Sequence, residues 1–141
     1  MRPEQAKLKR LQRLEKLRAI AKQAAATEAA RAEGTLAQLQ KLSLRTSALA
    51  HDYAARTDAQ TGAELRRLGR FAGQLQGLAR TTSADMARAR AIADTRQSEL
   101  AAAERRRAAV EERASEQARQ IAAKAQYTAL SGRKRFGTDL D

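Results

Sequence analysis

Between Leu65 and Ile121 apolar residues recur in alternating steps of three and four, through Leu68, Ala72, Leu75, Ala79, Met86, Ala89, Ala93, Leu100, Ala103, Val110 and Ala114. Thr82, Arg96, Arg107 and Gln117 fill the remaining places, and the register does not slip. A mean spacing of about 3.5 residues predicts a helix that buries one narrow seam against another helix. The only proline is Pro3, in a lead-in where the first turn of a helix tolerates it.

A first helix is predicted over about 4–56. Its seam runs through Leu11, Leu14, Ala21, Ala25, Ala32, Leu39, Leu42, Leu49 and Tyr53, but it fails at Lys7, Arg18, Glu28, Thr35 and Thr46. Leu8, Leu17, Ile20, Leu36 and Leu44 widen the stripe. Gly34 reads either as a bend or close approach, or as a tolerated glycine costing roughly 1 kcal/mol against alanine. The turn is expected at about 57–61, because Arg56-Thr57-Asp58 and Thr61-Gly62 form the mid-chain cluster of turn and cap residues. Thr61-Gly62-Ala63-Glu64 fits a capping box, with the Thr61 hydroxyl accepting a backbone N–H and Glu64 reaching back. The second helix then runs over about 62–130. Ser131-Gly132 reads as its end and 131–141 as a basic tail.

A short connection between two long helices implies an all-α, antiparallel coiled-coil hairpin, one domain over 1–141. Its helices would measure roughly 75 and 100 Å. Folding at 57–61 sets position i opposite about 118 − i, so that Leu49 meets Leu68, Leu42 meets Leu75, Ala32 meets Met86 and Ala25 meets Ala93. The second helix then overhangs the first from about Glu112. Pairs at i, i+3 (Glu15/Arg18, Glu28/Arg31, Glu64/Arg67, Asp85/Arg88, Glu116/Arg119) support the exposed faces.

Composition narrows the function. Aromatics make up 3% of the chain and tryptophan is absent, so a thick globular core is not available. The strong helix formers argue against disorder in the middle of the chain. Twenty-eight Lys+Arg face 16 Asp+Glu, a net +12 that suits anionic partners. Zero cysteines exclude disulfides and thiolate metal sites and fit a reducing compartment. No apolar run reaches the length of a membrane span, and no apolar segment follows the basic start, so neither a span nor a secretory signal is expected.

Catalytic chemistry finds little to work with. His51 is the single histidine and reads as a surface or seam-edge residue. No metal or cofactor is expected, and no phosphate-binding glycine loop is present. Two features stand out instead. Gly69, Gly73 and Gly77 leave one helix face bare beside Phe71, Leu75 and Leu78. These residues read either as seam with close glycine contact or as apolar surface left for a partner. Basic residues gather at the open end, among them Lys7, Arg10, Arg13, Arg113, Arg119 and Lys124. They read either as a solvated face or as a dock for an acidic partner. Nucleic acid fits less well, because almost no aromatics interleave with the charges.

The chain resembles the flagellar type III export stalk family, FliJ, and its injectisome counterparts, which in turn resemble the coiled coil of the rotary ATP synthase gamma subunit. The resemblance spans nearly the whole hairpin and is sharpest over 71–79. The family's patch is similar to Phe71, Leu75 and Ala79, with Leu78 beside them. A histidine that some members carry one turn further on is replaced near Thr82. The resemblance implies a non-enzymatic cytoplasmic adaptor, peripheral to the inner membrane at the flagellar base. Its open end, with Lys7, Arg10, Arg13, Arg113, Arg119 and Lys124, would enter the hexameric export ATPase. Its patch would contact the export gate membrane protein FlhA and so link ATP hydrolysis to protein export. Export chaperones stay open as further partners. A reading of another class is a structural coiled coil whose arginines bind nucleic acid or another polyanion.

Overall fold

A computed structural model describes residues 2–56 and 58–138. Helix α1 spans Pro3–Ala54 and helix α2 spans Gly62–Thr138, and the two pack against each other as an all-α helical hairpin. Among the described residues there is no strand, and no helix is long and apolar enough to cross a membrane. Pro3 opens α1, where its missing N–H leaves nothing unpaired, and Glu4 sits in the first turn, where the helix dipole favours an acid. At the start of α2 the Glu64 N–H donates to Thr61 Oγ1 at 3.1 Å, and Glu64 Oε2 accepts from the Gln60 N–H at 2.9 Å. The capping box therefore forms, with its return bond made one residue earlier than the usual pattern.

Two boundaries differ from the sequence reading. α1 stops at Ala54, and the connection runs from Ala55 to Thr61. α2 does not end at Leu130. It continues through Ser131 and Gly132 to Thr138, and no described glycine has a positive φ, so Gly132 makes no left-handed cap. The segment expected as a basic tail is thus helical as far as Thr138. Of the expected turn, Thr57 lies outside the described residues, as do Asp139, Leu140 and Asp141 at the end of the expected tail.

The chain divides into two compact units, Met1–Ala25 with Leu100–Asp141 (unit 1) and Ala26–Glu99 (unit 2). In unit 2, Leu36, Ala89 and Ala93 form the buried centre, with Ala32, Leu39 and Met86 packed on it. Tyr53 meets Phe71 further along. These neighbours place position i opposite about 125 − i (53 and 71 sum to 124), one heptad beyond the 118 − i expected from a tight fold at 57–61. The connection explains the shift. Seven residues, 55–61, reach roughly 23 Å when extended, more than the ~13 Å of the nine α2 residues 62–70. The loop climbs beside the first turns of α2, and α1 ends level with about Phe71. Leu65, expected in the seam, is therefore 62% exposed.

In unit 1, Ala103, Val110, Ala114 and Gln117 are buried. Lys22 Nζ meets Glu104 at 2.8 Å, and Gln117 Nε2 donates to the Glu4 carbonyl at 3.2 Å. Glu4 also pairs with Lys124. The unpaired stretch of α2 therefore starts beyond about Lys124 rather than at Glu112.

The α2 seam from Leu68 to Ile121 is buried or half-buried at every position of the expected register. The α1 seam is not the expected one. Leu11, Arg18, Ala25, Ala32, Leu39, Thr46 and Tyr53 face inward as one half of it. The other half is Leu8, Glu15, Lys22, Ala29, Leu36, Ser43 and Ala50, each one residue beyond Lys7, Leu14, Ala21, Glu28, Thr35, Leu42 and Leu49. Alanines at 72, 79, 89 and 93 draw the backbones of unit 2 together, and helix separation follows the size of the contact residues. Ala29, Ala32, Ser43, Thr46 and Ala50 fit that narrow gap. Leu42 and Leu49 do not, and they lie at its edge. Thr46 is buried at no polar cost, because its hydroxyl donates to the Leu42 carbonyl at 2.8 Å.

Candidate functional site

The register sorts the expected apolar patch of unit 2 into two kinds of residue. Leu75 is only 8% exposed and Ala79 is half-buried, so both belong to the seam and are not presented to a partner. Phe71 and Leu78 are 41% and 47% exposed. The Phe71 ring packs edge-on against Tyr53, with centroids 4.6 Å apart at 71°, which fixes its direction. Arg56 lies 4.6 Å over the other partner of that contact, the Tyr53 ring.

Two members of this surface were placed elsewhere by the sequence. Leu42 and Leu49, assigned to the seam of α1, are 44% and 47% exposed. They precede inward positions 43 and 50, as Phe71 and Leu78 precede 72 and 79. In an antiparallel pair such positions share one flank. The accessible patch is therefore a strip drawn from both helices. The signal that marks it is a large apolar residue one place before inward positions 43, 50, 72 and 79, legible only once the α1 phase is known. The opposite flank is a shallow groove of small and polar side chains, Ser47, Ala50, His51, Ala54, Gln76, Ala79 and Arg80.

The glycines do not serve close contact. A Cβ built at Gly34, Gly69, Gly73 or Gly77 meets nothing within 4 Å. The close-approach readings of Gly34 and of the glycine face are accordingly corrected.

The basic residues singled out in unit 1 are all exposed: Lys7, Arg10, Arg13, Arg113, Arg119 and Lys124. Two of them are held in ion pairs, Arg119 with Glu116 at 2.7 Å and Lys124 with Glu4. Lys7 and Arg113 line one groove together with Leu11 and Gln117. Unit 1 carries 17 of the 28 Lys+Arg and 8 of the 16 Asp+Glu, hence nine of the twelve net positive charges. The field that attracts an anionic partner is concentrated there.

A charged layer inside the seam of unit 1 went unread in the sequence. Arg107 donates to Glu104 through Nε and Nη2 at 3.0 and 2.9 Å, and to Glu111 through Nη1 at 2.8 Å. Lys22 supplies a second cation to Glu104 across the helices. Hydrogen bonds from Arg107, then from Lys22, pull the Glu104 carboxyl from 4.5 to about 2, and the two glutamates raise Arg107. Among the described residues no three His, Asp or Glu side chains group to fit a metal ion.

Geometry thus defines an all-α helical hairpin with exposed cations in unit 1 and an exposed apolar strip in unit 2. No family model, no curated protein and no solved structure matches the chain.

Proposed function

We propose that the protein is a non-enzymatic adaptor of flagellar type III protein export, joining the hexameric export ATPase to the membrane export gate. The observation that carries this reading is that exposed cations concentrate in unit 1, while unit 2 carries an exposed apolar strip on one flank. On this reading Lys7, Arg10, Arg13 and Arg113 engage the ATPase, with Arg119 and Lys124 released from their acids on binding. Phe71 and Leu78 engage the gate, while Leu75 and Ala79 hold the seam beneath them. The likeness to the stalk family over 71–79 supports the gate assignment. The setting this implies is the cytoplasmic side of the inner membrane at the flagellar base, with export chaperones as further partners.

The net charge of +12 also favours the second reading, a structural coiled coil that binds nucleic acid or another polyanion. One experiment separates the two. ATPase activity of the flagellar export ATPase is measured at about 150 mM salt, where exposed charges are screened beyond roughly 8 Å. The full protein is expected to stimulate it, and a version lacking 1–13 and 119–141 is not. No stimulation by the full protein, together with DNA binding that falls steeply with salt, would replace the adaptor by the polyanion binder.

A further inference from the structure

Small side chains fill much of the seam of unit 2, around the buried Leu36 and Leu75. Its seam is built largely from Ala29, Ala32, Ser43, Thr46, Ala72, Ala79, Thr82, Ala89 and Ala93, whereas Leu42, Leu49, Phe71 and Leu78 stand half-exposed beside it. A two-stranded hairpin needs apolar residues only at the two seam positions of each heptad. Helices that pack on two neighbours carry a third, at one edge of the seam. Both helices of unit 2 carry that third position, and on the same flank. The strip is continuous with the intramolecular interface, because Phe71 packs on the seam residue Tyr53. The other flank, at Ser47, His51, Ala54 and Gln76, carries no large apolar side chain.

We infer that the strip Leu42, Leu49, Phe71 and Leu78 is covered by the same strip of a second copy of this chain, so that two unit 2 hairpins close into a four-helix bundle. A two-fold pairing sets one patch against itself, which requires that the patch be self-complementary. It is: the centre is aliphatic and aromatic, and the bordering positions carry both signs, Arg45 and Arg67 with Asp52, beside the Asp85–Arg88 pair. Each copy meets opposite charge at the rim and not a field of one sign. The contact is small, so association falls in the micromolar range and is reversible. The inference does not rest on the export reading, but it bears on it. A second copy and the gate claim the same side chains, so the dimer is a form in which the gate surface is closed.

The test is sedimentation velocity on the full chain from low to high micromolar concentration. The expected result is a twofold rise in mass with concentration. Leu49→Lys combined with Leu78→Lys is expected to hold the single-chain mass, with helical circular dichroism unchanged. Leu17→Lys with Ile20→Lys, exposed but in unit 1, is expected to dimerise normally. Cross-linking covers the case in which the lysine variant misfolds. The chain has no cysteine, so Leu49→Cys and Leu78→Cys each place one thiol on the strip. A bifunctional maleimide is expected to double the mass of these two and not of Ser47→Cys or Gln76→Cys on the opposite flank. A chain that stays single at every concentration, or cross-links equally from both flanks, overturns the proposal.

Discussion

Arg18 brings a guanidinium into the seam of unit 1, and its buried Nε finds no partner among the described residues. The register sets position 18 level with 107, where a second arginine already takes two glutamates. A buried donor without a partner costs about 1–3 kcal/mol, and the half-buried Arg18 bears the low end of that. Arg18→Leu is therefore expected to stabilise the fold by about 1 kcal/mol, seen as a higher urea midpoint with an unchanged slope. Glu104 works in the other direction. Its carboxyl ionises at about 2 when folded and at 4.5 when unfolded, so the unfolded chain takes up the proton first. The stabilisation it provides is complete above about pH 5 and is lost as pH falls through 4.5 towards 2. Its side chain is 40% exposed, so water screens the pair and the effect is modest. Thermal melts between pH 7 and pH 2.5 are expected to show Glu104→Gln less stable than the wild type at neutral pH. The two melting temperatures should converge in acid. Parallel curves would remove Glu104 from the account.

The capping box at Thr61 and Glu64 decides where α2 starts, and with it the register of unit 2. Thr61→Ala removes the acceptor of the Glu64 N–H and is expected to cost about 1 kcal/mol in urea unfolding. Gly69→Ala and Gly73→Ala act oppositely. Space is open at both positions, so each should stabilise α2 by about 0.5–1 kcal/mol. A loss at either position would mean that the glycine face meets a partner closely after all. The same elements show how far the sequence can be read. α2 was legible position by position from Leu68 to Ile121, because its apolar register has one phase and no competitor. α1 offers two phases that share Leu11, Ala25 and Leu39. The leucines at 42 and 49 favour the phase that the narrow, alanine-lined gap of unit 2 rejects, and only the partner helix decides between them. The heptad shift in pairing was hidden for a similar reason: the turn residues locate a connection but not how far it extends. The helical run past Gly132 was missed because a glycine signals a cap only when it adopts a positive φ.

Taken whole, the chain concentrates its net charge in unit 1 and carries the Leu42, Leu49, Phe71 and Leu78 strip in unit 2, and the two kinds of surface answer differently to salt. Nine of the twelve net charges lie in unit 1, whereas the strip of unit 2 is aliphatic and aromatic. Screening shortens from about 10 Å at 0.1 M salt to about 3 Å at 1 M, which weakens contacts between exposed charges and leaves apolar burial nearly untouched. Raising salt is therefore expected to weaken ATPase binding at least tenfold while the monomer–dimer equilibrium stays in place. Charge reversal at Lys7, Arg10 and Arg13 should abolish ATPase stimulation and leave dimer mass unchanged. The Leu49→Lys, Leu78→Lys pair should do the converse, removing the dimer and gate capture but preserving stimulation. The decisive comparison is the pair of variants measured in both assays. If either variant removes both activities while keeping its helical content, the surfaces are not independent. The assignment of one partner to unit 1 and another to unit 2 then fails, whichever partners they prove to be.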